Sequence, residues 1–334
     1  MVLRGRDRLS PRALNRSLLA RQGLLARSAV GVEAMVEQLV GLQAQIPGNP
    51  YVGLWSRLRD FAPAALSDLI AEGGAVRAQL MRTTIHLVTA ADHDVLAPVM
   101  AGVHARHFRG TWLKRMHGTP VEPVVDAGRG LLAEAPRTRA ELAATLAPAS
   151  PEAEPEALAQ AVTLHTPVVQ VPPRGLWGAS GQARLGLRPP AGGAAVDAIV
   201  LRYLAAFGPA TVADIRTWSG LTGLREVVDR LDLVRYDGGL LDVADAPFPK
   251  PDTPAPVRFL PEYDNALLSH ADRSRIVARQ APMPRGGTRG TVLVDGFVAA
   301  AWSYADGEVS ILGDVPREAL AEADALAAFL SSGG

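Results

Sequence analysis

The spacing of apolar residues predicts a helix-rich N-terminal segment. Ser10 and Pro11 are typical of a helix start, and Leu14, Leu18 and Leu25 follow at near-helical spacing. Between the fourth and fifth predicted helices, two short runs have the composition and alternation of strands. The later helices are predicted over 32–42, 50–59, 64–70 and 92–116, and the strands over 76–80 and 83–88.

Two consecutive segments then repeat one order of elements. Thr138 with Glu141, and Thr211 with Asp214, each predict a capping box that opens a short helix. The order of helix, short capped helix, helix and two strands is that of a winged helix. The predicted spans are 121–134, 155–165, 168–171 and 175–178 in the first copy, and 195–207, 222–231, 233–236 and 240–243 in the second.

The C-terminal segment follows another pattern. A basic, glycine-rich loop at 282–290 precedes a hairpin that turns at Asp295 and Gly296, and a last helix is predicted over 316–330. The predicted fold class is α+β and mainly α, with three tandem winged-helix units and a small α+β domain. Their predicted boundaries are 1–118, 119–190, 191–250 and 251–334.

The length and composition narrow the possible classes of protein. A chain of 334 residues can form two or three domains that each bury a core. The absence of cysteine excludes disulfides, a thiolate nucleophile and cysteine-based metal sites. No signal-peptide pattern or stretch of ~18 apolar residues is present, so we expect a cytoplasmic protein with no membrane partner.

The formal net charge of zero hides an uneven distribution. Residues 1–118 carry 15 Lys and Arg against 8 Asp and Glu, whereas residues 119–334 carry 19 against 26. The N-terminal third is therefore expected to be the basic part of the surface. Only Lys114 and Lys250 are lysines, so covalent catalysis by an amine has few candidates.

The common enzyme signatures are missing. The sequence has no Gly-Lys-Ser/Thr phosphate loop, no nucleophile elbow and no His-Glu-x-x-His motif. His104 and His107 are placed on one predicted helix, but no third metal ligand accompanies them, so a solvated helix face is the preferred interpretation. We expect neither a metal nor another cofactor.

Gln43 and Gln45 form the most unusual polar pattern. Side chains two positions apart point in different directions on a helix but to the same side of an extended segment. Pro47 and Gly48 end the helix close to this point, so the two amides can converge. The alternative is a polar helix end whose side chains bond to free carbonyls.

Five motifs, in order, resemble the AlkZ/YcaQ family of bacterial DNA glycosylases over about residues 10 to 330. They are Leu42-Gln43-Ala44-Gln45, Tyr51-Val52-Gly53-Leu54-Trp55-Ser56-Arg57, Met81-Arg82-Thr83-Thr84-Ile85-His86-Leu87, Phe259-Leu260-Pro261-Glu262-Tyr263-Asp264-Asn265 and Leu293-Val294-Asp295-Gly296. The resemblance implies tandem winged helices that form a concave surface for double-stranded DNA. It also implies excision of N7-alkylated purines, including bulky antibiotic adducts and interstrand crosslinks, for self-resistance or repair.

By the same resemblance, Gln43 and Gln45 would be the catalytic pair of the Gln-x-Gln branch. Because no Schiff-base lysine is evident, the expected enzyme is a monofunctional glycosylase without lyase activity. A monomer is expected as well. A cationic N7-alkylguanine is already a good leaving group, so two amides that place a water at C1′ would suffice.

Several basic residues are candidates for DNA contact. Arg82, Thr84 and His86 are expected on one strand and match the family's Arg-x-Thr-x-His-Leu pattern. His86 is a candidate for phosphate contact or for support of the two glutamines, and a core histidine is the alternative. The others are expected to follow the phosphate backbone or enter a groove, and ordinary solvated arginines are the alternative. They are Arg106, Arg109, Arg115, Arg285 and Arg289.

A non-enzymatic winged-helix regulator or drug-binding protein is the competing interpretation. A regulator would need a basic recognition helix. The predicted helix 222–231 balances Arg225 and Arg230 with Glu226 and Asp229, and helix 155–165 has no Lys or Arg. These helices are not typical of major-groove recognition.

Overall fold

The structure, a computed structural model, describes residues 8–193, 195–278 and 289–332. Helices predominate, and the strands of these ranges form antiparallel sheets of five, four and two strands. The fold class is therefore α+β and mainly α, as the sequence predicts. None of the helices within these ranges is both long and apolar enough to cross a bilayer.

The N-terminal part contains five helices and three strands. Helix α1 begins as predicted, because the Ser10 side chain accepts a hydrogen bond from the Ala13 amide and Pro11 occupies the first helical position. Short 3₁₀ turns at Met81–Thr83 and Leu113–Met116 follow β2 and α5. The elements are α1 (Pro11–Arg21), α2 (Val32–Gln38), β1 (Leu42–Gln43), α3 (Asn49–Trp55), α4 (Pro63–Ala71), β2 (Ala75–Gln79), β3 (Ile85–Thr89) and α5 (Ala90–Thr111).

The middle of the chain has the repeated order that the sequence predicts. Both capping boxes form, Thr138 with Glu141 and Thr211 with Asp214. The elements are α6 (Val121–Glu134), α7 (Arg139–Leu146), α8 (Pro155–His165), β4 (Val168–Gln170), β5 (Leu185–Leu187), α9 (Val196–Phe207), α10 (Val212–Ser219), α11 (Leu224–Arg230), β6 (Val234–Tyr236) and β7 (Leu240–Asp242).

The C-terminal part is built on a four-stranded sheet in the order β11-β10-β9-β8. The predicted hairpin turn is confirmed: Asp295 and Gly296 both have positive φ, of 48° and 81°, as a two-residue turn requires. The elements are β8 (Arg258–Leu260), α12 (Asn265–Leu268), β9 (Gly290–Val294), β10 (Phe297–Ala305), β11 (Glu308–Leu312) and α13 (Glu318–Ser331).

The strands of the first two predicted units form one sheet. Its order is β1-β3-β2-β4-β5, and Arg77 and Ala78 of β2 pair with Gln170 and Val169 of β4. In the third unit, β6 and β7 form a separate two-stranded sheet, and Leu241 of β7 also forms an antiparallel bridge with Ala210. Main-chain hydrogen bonds therefore connect the first two units, and the boundaries between domains stay a prediction.

Three predicted segments were wrong. Residues 175–178 are not a strand, because the Tyr51 hydroxyl donates to the Gly175 carbonyl and the ring of Trp177 packs on Tyr51; β4 pairs with β5 instead. The helix predicted over 32–42 ends at Gln38. The segment beginning at Arg258, predicted to be irregular, adds β8 to the sheet by pairing with β9.

The largest apolar core contains residues from both ends of the chain. Leu18 and Leu19 of α1 are buried in the same cluster as Tyr203 and Leu204 of α9, and Leu293 of β9 belongs to it as well. A separate cluster between α2, α3 and the five-stranded sheet includes Leu42 and Ala44. The segment that carries the two glutamines is thereby fixed on its apolar side.

Candidate active site

Gln43 and Gln45 lie at an edge of the five-stranded sheet. In β1, Gln43 pairs with His86 of β3, and the Ala44 amide donates to the Ile85 carbonyl at 2.7 Å, so the extended pairing continues beyond Gln43. Side chains alternate along an extended chain, so the Gln43 side chain points away from the core that Leu42 and Ala44 enter. The chain bends at Gln45, and the convergence of the two glutamines stays a prediction.

Residues with positive φ lie just before Gln43 in the chain and on the neighbouring segment across the sheet. Val40 has φ of 52° and Gly41 of 87°, and across the sheet Arg82 and Thr83 have φ of 54° and 58°. A Cβ on Gly41 would lie 2.6 Å from Val88 Cγ1 and 2.8 Å from the Leu87 carbonyl oxygen, so this position requires glycine. Strained residues with side chains persist where the surroundings impose them, and they concentrate at functional sites.

Arg82 holds the side chain of Gln43. Its Nη2 donates to Gln43 Oε1 at 2.7 Å and to Asn265 Oδ1 at 3.3 Å, and its Nη1 donates to the Trp218 carbonyl at 3.2 Å. Because arginine only donates, the amide oxygen of Gln43 must face it, and that oxygen keeps a second lone pair. Burial lowers the pKa of Arg82 to about 10, so the guanidinium remains charged at neutral pH.

This placement corrects the expectation that Arg82 lies on a strand beside Thr84 and His86. Arg82 belongs to the 3₁₀ turn that precedes β3, and its positive φ directs it towards Gln43. No Asp or Glu oxygen of the described residues lies within 4.0 Å of its guanidinium. Arg82 is thus a buried cation whose partners are all neutral.

Arg77 holds the peptide between the two glutamines. Its Nη2 donates to the Ala44 carbonyl at 2.9 Å, and its Nε and Nη2 donate to Gln170 Oε1 at 3.3 and 3.2 Å. Burial, together with nearby Arg174, lowers the pKa of Arg77 to about 10. The Gln-Ala-Gln segment is therefore fixed by two buried arginines, one at its backbone and one at the Gln43 side chain.

His86 lies opposite Gln43 and has no exposed surface. Its Nδ1 is 3.1 Å from the Thr84 carbonyl, which only accepts, so Nδ1 carries the proton and the bare Nε2 has no hydrogen-bond partner among the described residues. Burial and the charge of Arg82 lower the pKa of His86 to about 3, so the ring is neutral. The core histidine, which is the structural alternative for His86, agrees with this placement, contact with phosphate does not, and support of the glutamines stays a prediction.

Gln45 and Thr84 are held less tightly than Gln43. Gln45 is exposed, and its Oε1 accepts one long hydrogen bond, 3.4 Å, from the Ile85 amide. The Thr84 hydroxyl donates to the Met81 carbonyl at 3.1 Å, so it serves the local turn. The site therefore combines one amide held by Arg82 with one exposed amide, which can orient a water molecule but cannot take a proton from it.

A distant segment completes the site. Asn265 Nδ2 donates to the Gly41 carbonyl at 3.1 Å, and Asn49 Nδ2 donates to the Glu262 carbonyl at 2.7 Å. Asp264 forms a two-pronged ion pair with Arg57 at the end of α3, at 2.8 and 2.9 Å. Residues 261–265 thus hold the backbone on both sides of the glutamines.

Sequence reasoning missed the roles of Arg77 and Asn265. In the sequence, Arg77 stands out as a charged residue between Val76 and Ala78 in a predicted strand. Side-chain alternation points it away from these two neighbours, and the register of the sheet puts it on the side of Leu42 and Ala44. For Asn265 the only signal was its place in one of the family motifs. Its contact with Gly41 spans more than 200 residues, so no local pattern reveals it.

The excess positive charge of the N-terminal third is largely neutralised inside the protein. Five of its arginines, from α1 and from the segments that follow α1 and α3, form ion pairs with carboxylates on β7, before α12, in the β9–β10 turn and on α13. The asymmetry in the sequence therefore reflects internal pairing more than a free basic surface. The pairs are Arg12 and Arg16 with Asp295, Arg21 with Asp242, Arg27 with Glu322 and Arg57 with Asp264.

The remaining DNA-contact candidates lie on the surface. Arg106 and Arg109 are exposed on α5, and Arg106 donates to the Gly220 carbonyl at 2.8 Å. Arg115 lies over the Trp112 ring, 3.8 Å from Glu154. Arg289 is exposed directly before β9, and Arg285 lies outside the described residues.

The described part of the chain shows no cluster of three or more His, Cys, Asp or Glu side chains that could hold a metal ion. His104 is buried, and its Nε2 lies 3.0 Å from the Leu80 carbonyl, whereas His107 is exposed. The two histidines therefore do not share one solvated face, and His104 has a structural role.

Comparison with known proteins agrees with this geometry. The structure resembles the Streptomyces sahachiroi DNA glycosylase AlkZ with a TM-score of 0.73 and 19% sequence identity, over 98% of each chain. No curated protein matches the sequence. The family model described as DNA glycosylase AlkZ-like matches residues 36–329, which include both glutamines and residues 261–265. The chain belongs to the family of AlkZ-like DNA glycosylases.

Proposed function

We propose that this protein is a monofunctional glycosylase that hydrolyses the N-glycosidic bond of cationic N7-alkylguanine in double-stranded DNA. The observation that carries the proposal is the pair of amides at the sheet edge, with Gln43 held by Arg82 and Gln45 exposed two residues later. Bulky adducts and interstrand crosslinks at the same N7 position, met in self-resistance or repair, fall within the proposed substrate class.

The proposed reaction needs no acid catalyst. The bond between C1′ and N9 breaks, its electron pair neutralises the cationic base, and the oxygen of a water molecule bonds to C1′ and loses a proton to solvent. The free lone pair of Gln43 Oε1 accepts a hydrogen bond from that water and places a partial negative charge near the developing positive sugar. Gln45 accepts the second hydrogen of the water.

The first prediction concerns the charge of the lesion. The purified protein should release N7-methylguanine from a duplex orders of magnitude faster than it releases uracil or ethenoadenine, because only the cationic base leaves without protonation. Chromatography of the released base under single-turnover conditions measures the rates, and gel analysis should show an uncleaved strand with an abasic site. Comparable rates on neutral lesions would contradict a mechanism with two amides.

We further propose that the duplex contacts the exposed arginines of α5. Arg106 and Arg109 are one helical turn apart, and the described residues provide no carboxylate partner within 4.0 Å for either. Arg115 and Arg289 are further candidates, each exposed near a segment end. This location replaces the broader basic surface that the charge asymmetry had suggested.

The second prediction follows from that location. Replacing Arg106 and Arg109 together by alanine should weaken binding to all duplex sequences about equally and flatten the logarithmic salt dependence by ~0.9 for each lost phosphate contact. Binding titrations at several salt concentrations measure both effects. The matched control is Arg225→Ala on α11, where Glu226 is adjacent. If Arg225→Ala weakens duplex binding more than the double substitution does, α11 contacts DNA as a recognition helix, as in a regulator.

The structure gives the regulator interpretation little support. In the second unit, all residues of α8 from Ala157 to Leu164 are buried, so this helix cannot enter a major groove. In the third unit, Arg230 of α11 pairs with Asp197 of α9. The helices that would read bases in a winged-helix regulator are thus used for packing or internal pairing.

A further inference from the structure

A pocket of about 230 Å³ is lined by the segment that follows the two glutamines, and the mechanism above does not use it. Ile46, which follows Gln45 in the chain, forms part of its wall, together with Asn49 at the start of α3. The pocket therefore borders the segment that carries the two glutamines.

Two indole rings give the pocket rigid aromatic walls. Trp302 donates from Nε1 to the Leu260 carbonyl at 2.8 Å, and Trp177 packs against Tyr51 with ring centres 4.8 Å apart. Tyr304 also lines the pocket and is partly exposed. Fixed aromatic faces favour a flat ligand, which stacks on them without further loss of side-chain freedom.

The pocket also contains a carboxylate without a counter-charge. Glu262 is half-buried, and its Oε2 is enclosed by protein without a hydrogen-bond partner among the described residues. In the same part of the chain, no Arg, Lys or His nitrogen lies within 4.0 Å of it, whereas Asp264, two residues later, is paired with Arg57. A poorly solvated carboxylate beside aromatic rings favours a cation, because charge attraction and cation–π attraction act together.

We propose that this pocket is a subsite for a flat heteroaromatic cation, which in the substrate is the N7-alkylated guanine itself. The identification of that cation rests on the proposed function. Glu262 then stabilises the positive charge of the bound lesion and that of the transition state, in which the charge is shared by the base and the neighbouring sugar. An interaction made equally with both strengthens binding without changing the rate of the chemical step. Glu262 is therefore a specificity residue, and Gln43 acts on the reaction step.

The test uses the whole protein and a nucleoside, without DNA. 7-Methylguanosine, at a mildly acidic pH where its base is cationic, should quench the tryptophan fluorescence with a Kd of about 1 mM or below, and guanosine should bind about tenfold more weakly. Glu262→Gln should abolish this preference and leave guanosine binding unchanged. Glu308→Gln, an exposed glutamate of the same sheet, is the matched control. Equal binding of both nucleosides by the unmodified protein, or a preference that survives Glu262→Gln, would overturn the proposal.

A second readout separates this subsite from the proposed function. In single-turnover excision of N7-methylguanine, Glu262→Gln should raise the half-saturating protein concentration about tenfold and leave the maximal rate unchanged. Base release that is insensitive to Glu262→Gln would overturn the subsite and leave the proposed function intact. Glu262-dependent binding of 7-methylguanosine by a protein that releases no base from DNA would support the subsite and contradict the proposed function.

Discussion

Gln43→Ala is expected to slow single-turnover excision of N7-alkylguanine by roughly 10²–10³-fold, by analogy with the loss of one oriented polar group at a reaction centre. The substitution removes the amide oxygen that orients the water and leaves the charge of Arg82 without its 2.7 Å partner. Because Gln43 is only 8% exposed, it offers little surface to a duplex, so duplex affinity should change little. The measurement is the rate of base release at saturating protein.

The control for Gln43→Ala is Gln22→Ala. Gln22 is also a buried glutamine whose amide oxygen faces a buried arginine, Arg57 at 3.5 Å, and its Nε2 donates to the Ala206 carbonyl. Both variants lose stability because each leaves an arginine without the amide oxygen that accepted its hydrogen bond, but only Gln43 lies at the sheet edge. A folded Gln43→Ala protein that excises at the unmodified rate, or an equal loss in both variants, would remove Gln43 from the reaction.

The elements of the site that follow from local chemistry could be predicted from the sequence. α2 ends at Gln38 and Gly41 follows with positive φ, while Pro47 and Gly48 directly precede α3, so the non-helical segment with both glutamines is bounded by residues within a few positions of it. The hairpin at Asp295 and Gly296 is equally local, since both residues tolerate a positive φ. Such features depend on the backbone preferences of adjacent residues and on little else.

The features that could not be predicted depend on contacts between distant segments. Strand alternation puts Arg82 on the same side as His86, but the left-handed turn at Arg82 and Thr83 breaks that alternation and brings the guanidinium to Gln43. The guanidinium of Arg82 also donates to the Trp218 carbonyl and to Asn265 Oδ1, which are 136 and 183 residues away. No local pattern contains this information.

The charge of the protein surface could not be predicted from the sequence either, because it also depends on contacts between distant segments. Counting residues finds the positive excess of the N-terminal third, but it does not reveal that Asp242, Asp264, Asp295 and Glu322 neutralise much of it. Charge asymmetry along a chain indicates a free basic surface only when the two halves do not pack on each other. Here α1 and α3 lie against the C-terminal segments, so opposite charges in the two halves stabilise the fold.

The ion pair between Arg57 and Asp264 should contribute most to this connection. Each side chain is 1% exposed, and the guanidinium donates to both carboxylate oxygens and to the Gly53 carbonyl. Arg57→Ala is expected to lower the free energy of unfolding by about 3–5 kcal/mol, because it leaves the Asp264 carboxylate buried without a counter-charge. Chemical denaturation measures the change.

The control for Arg57→Ala is Arg129→Ala, whose pair with Asp126 is exposed and should contribute less than about 1 kcal/mol. A second variant, Asp264→Asn, separates charge from capping, since asparagine can still accept the Ala266 amide at the start of α12 but cannot neutralise Arg57. It should be destabilised as well, and it should excise more slowly while folded, because Asn265 beside it contacts both Arg82 and Gly41. An effect of Arg57→Ala no larger than that of Arg129→Ala would show that α3 and residues 261–265 are held together mainly by apolar packing, and that the charges could be replaced without loss of the site.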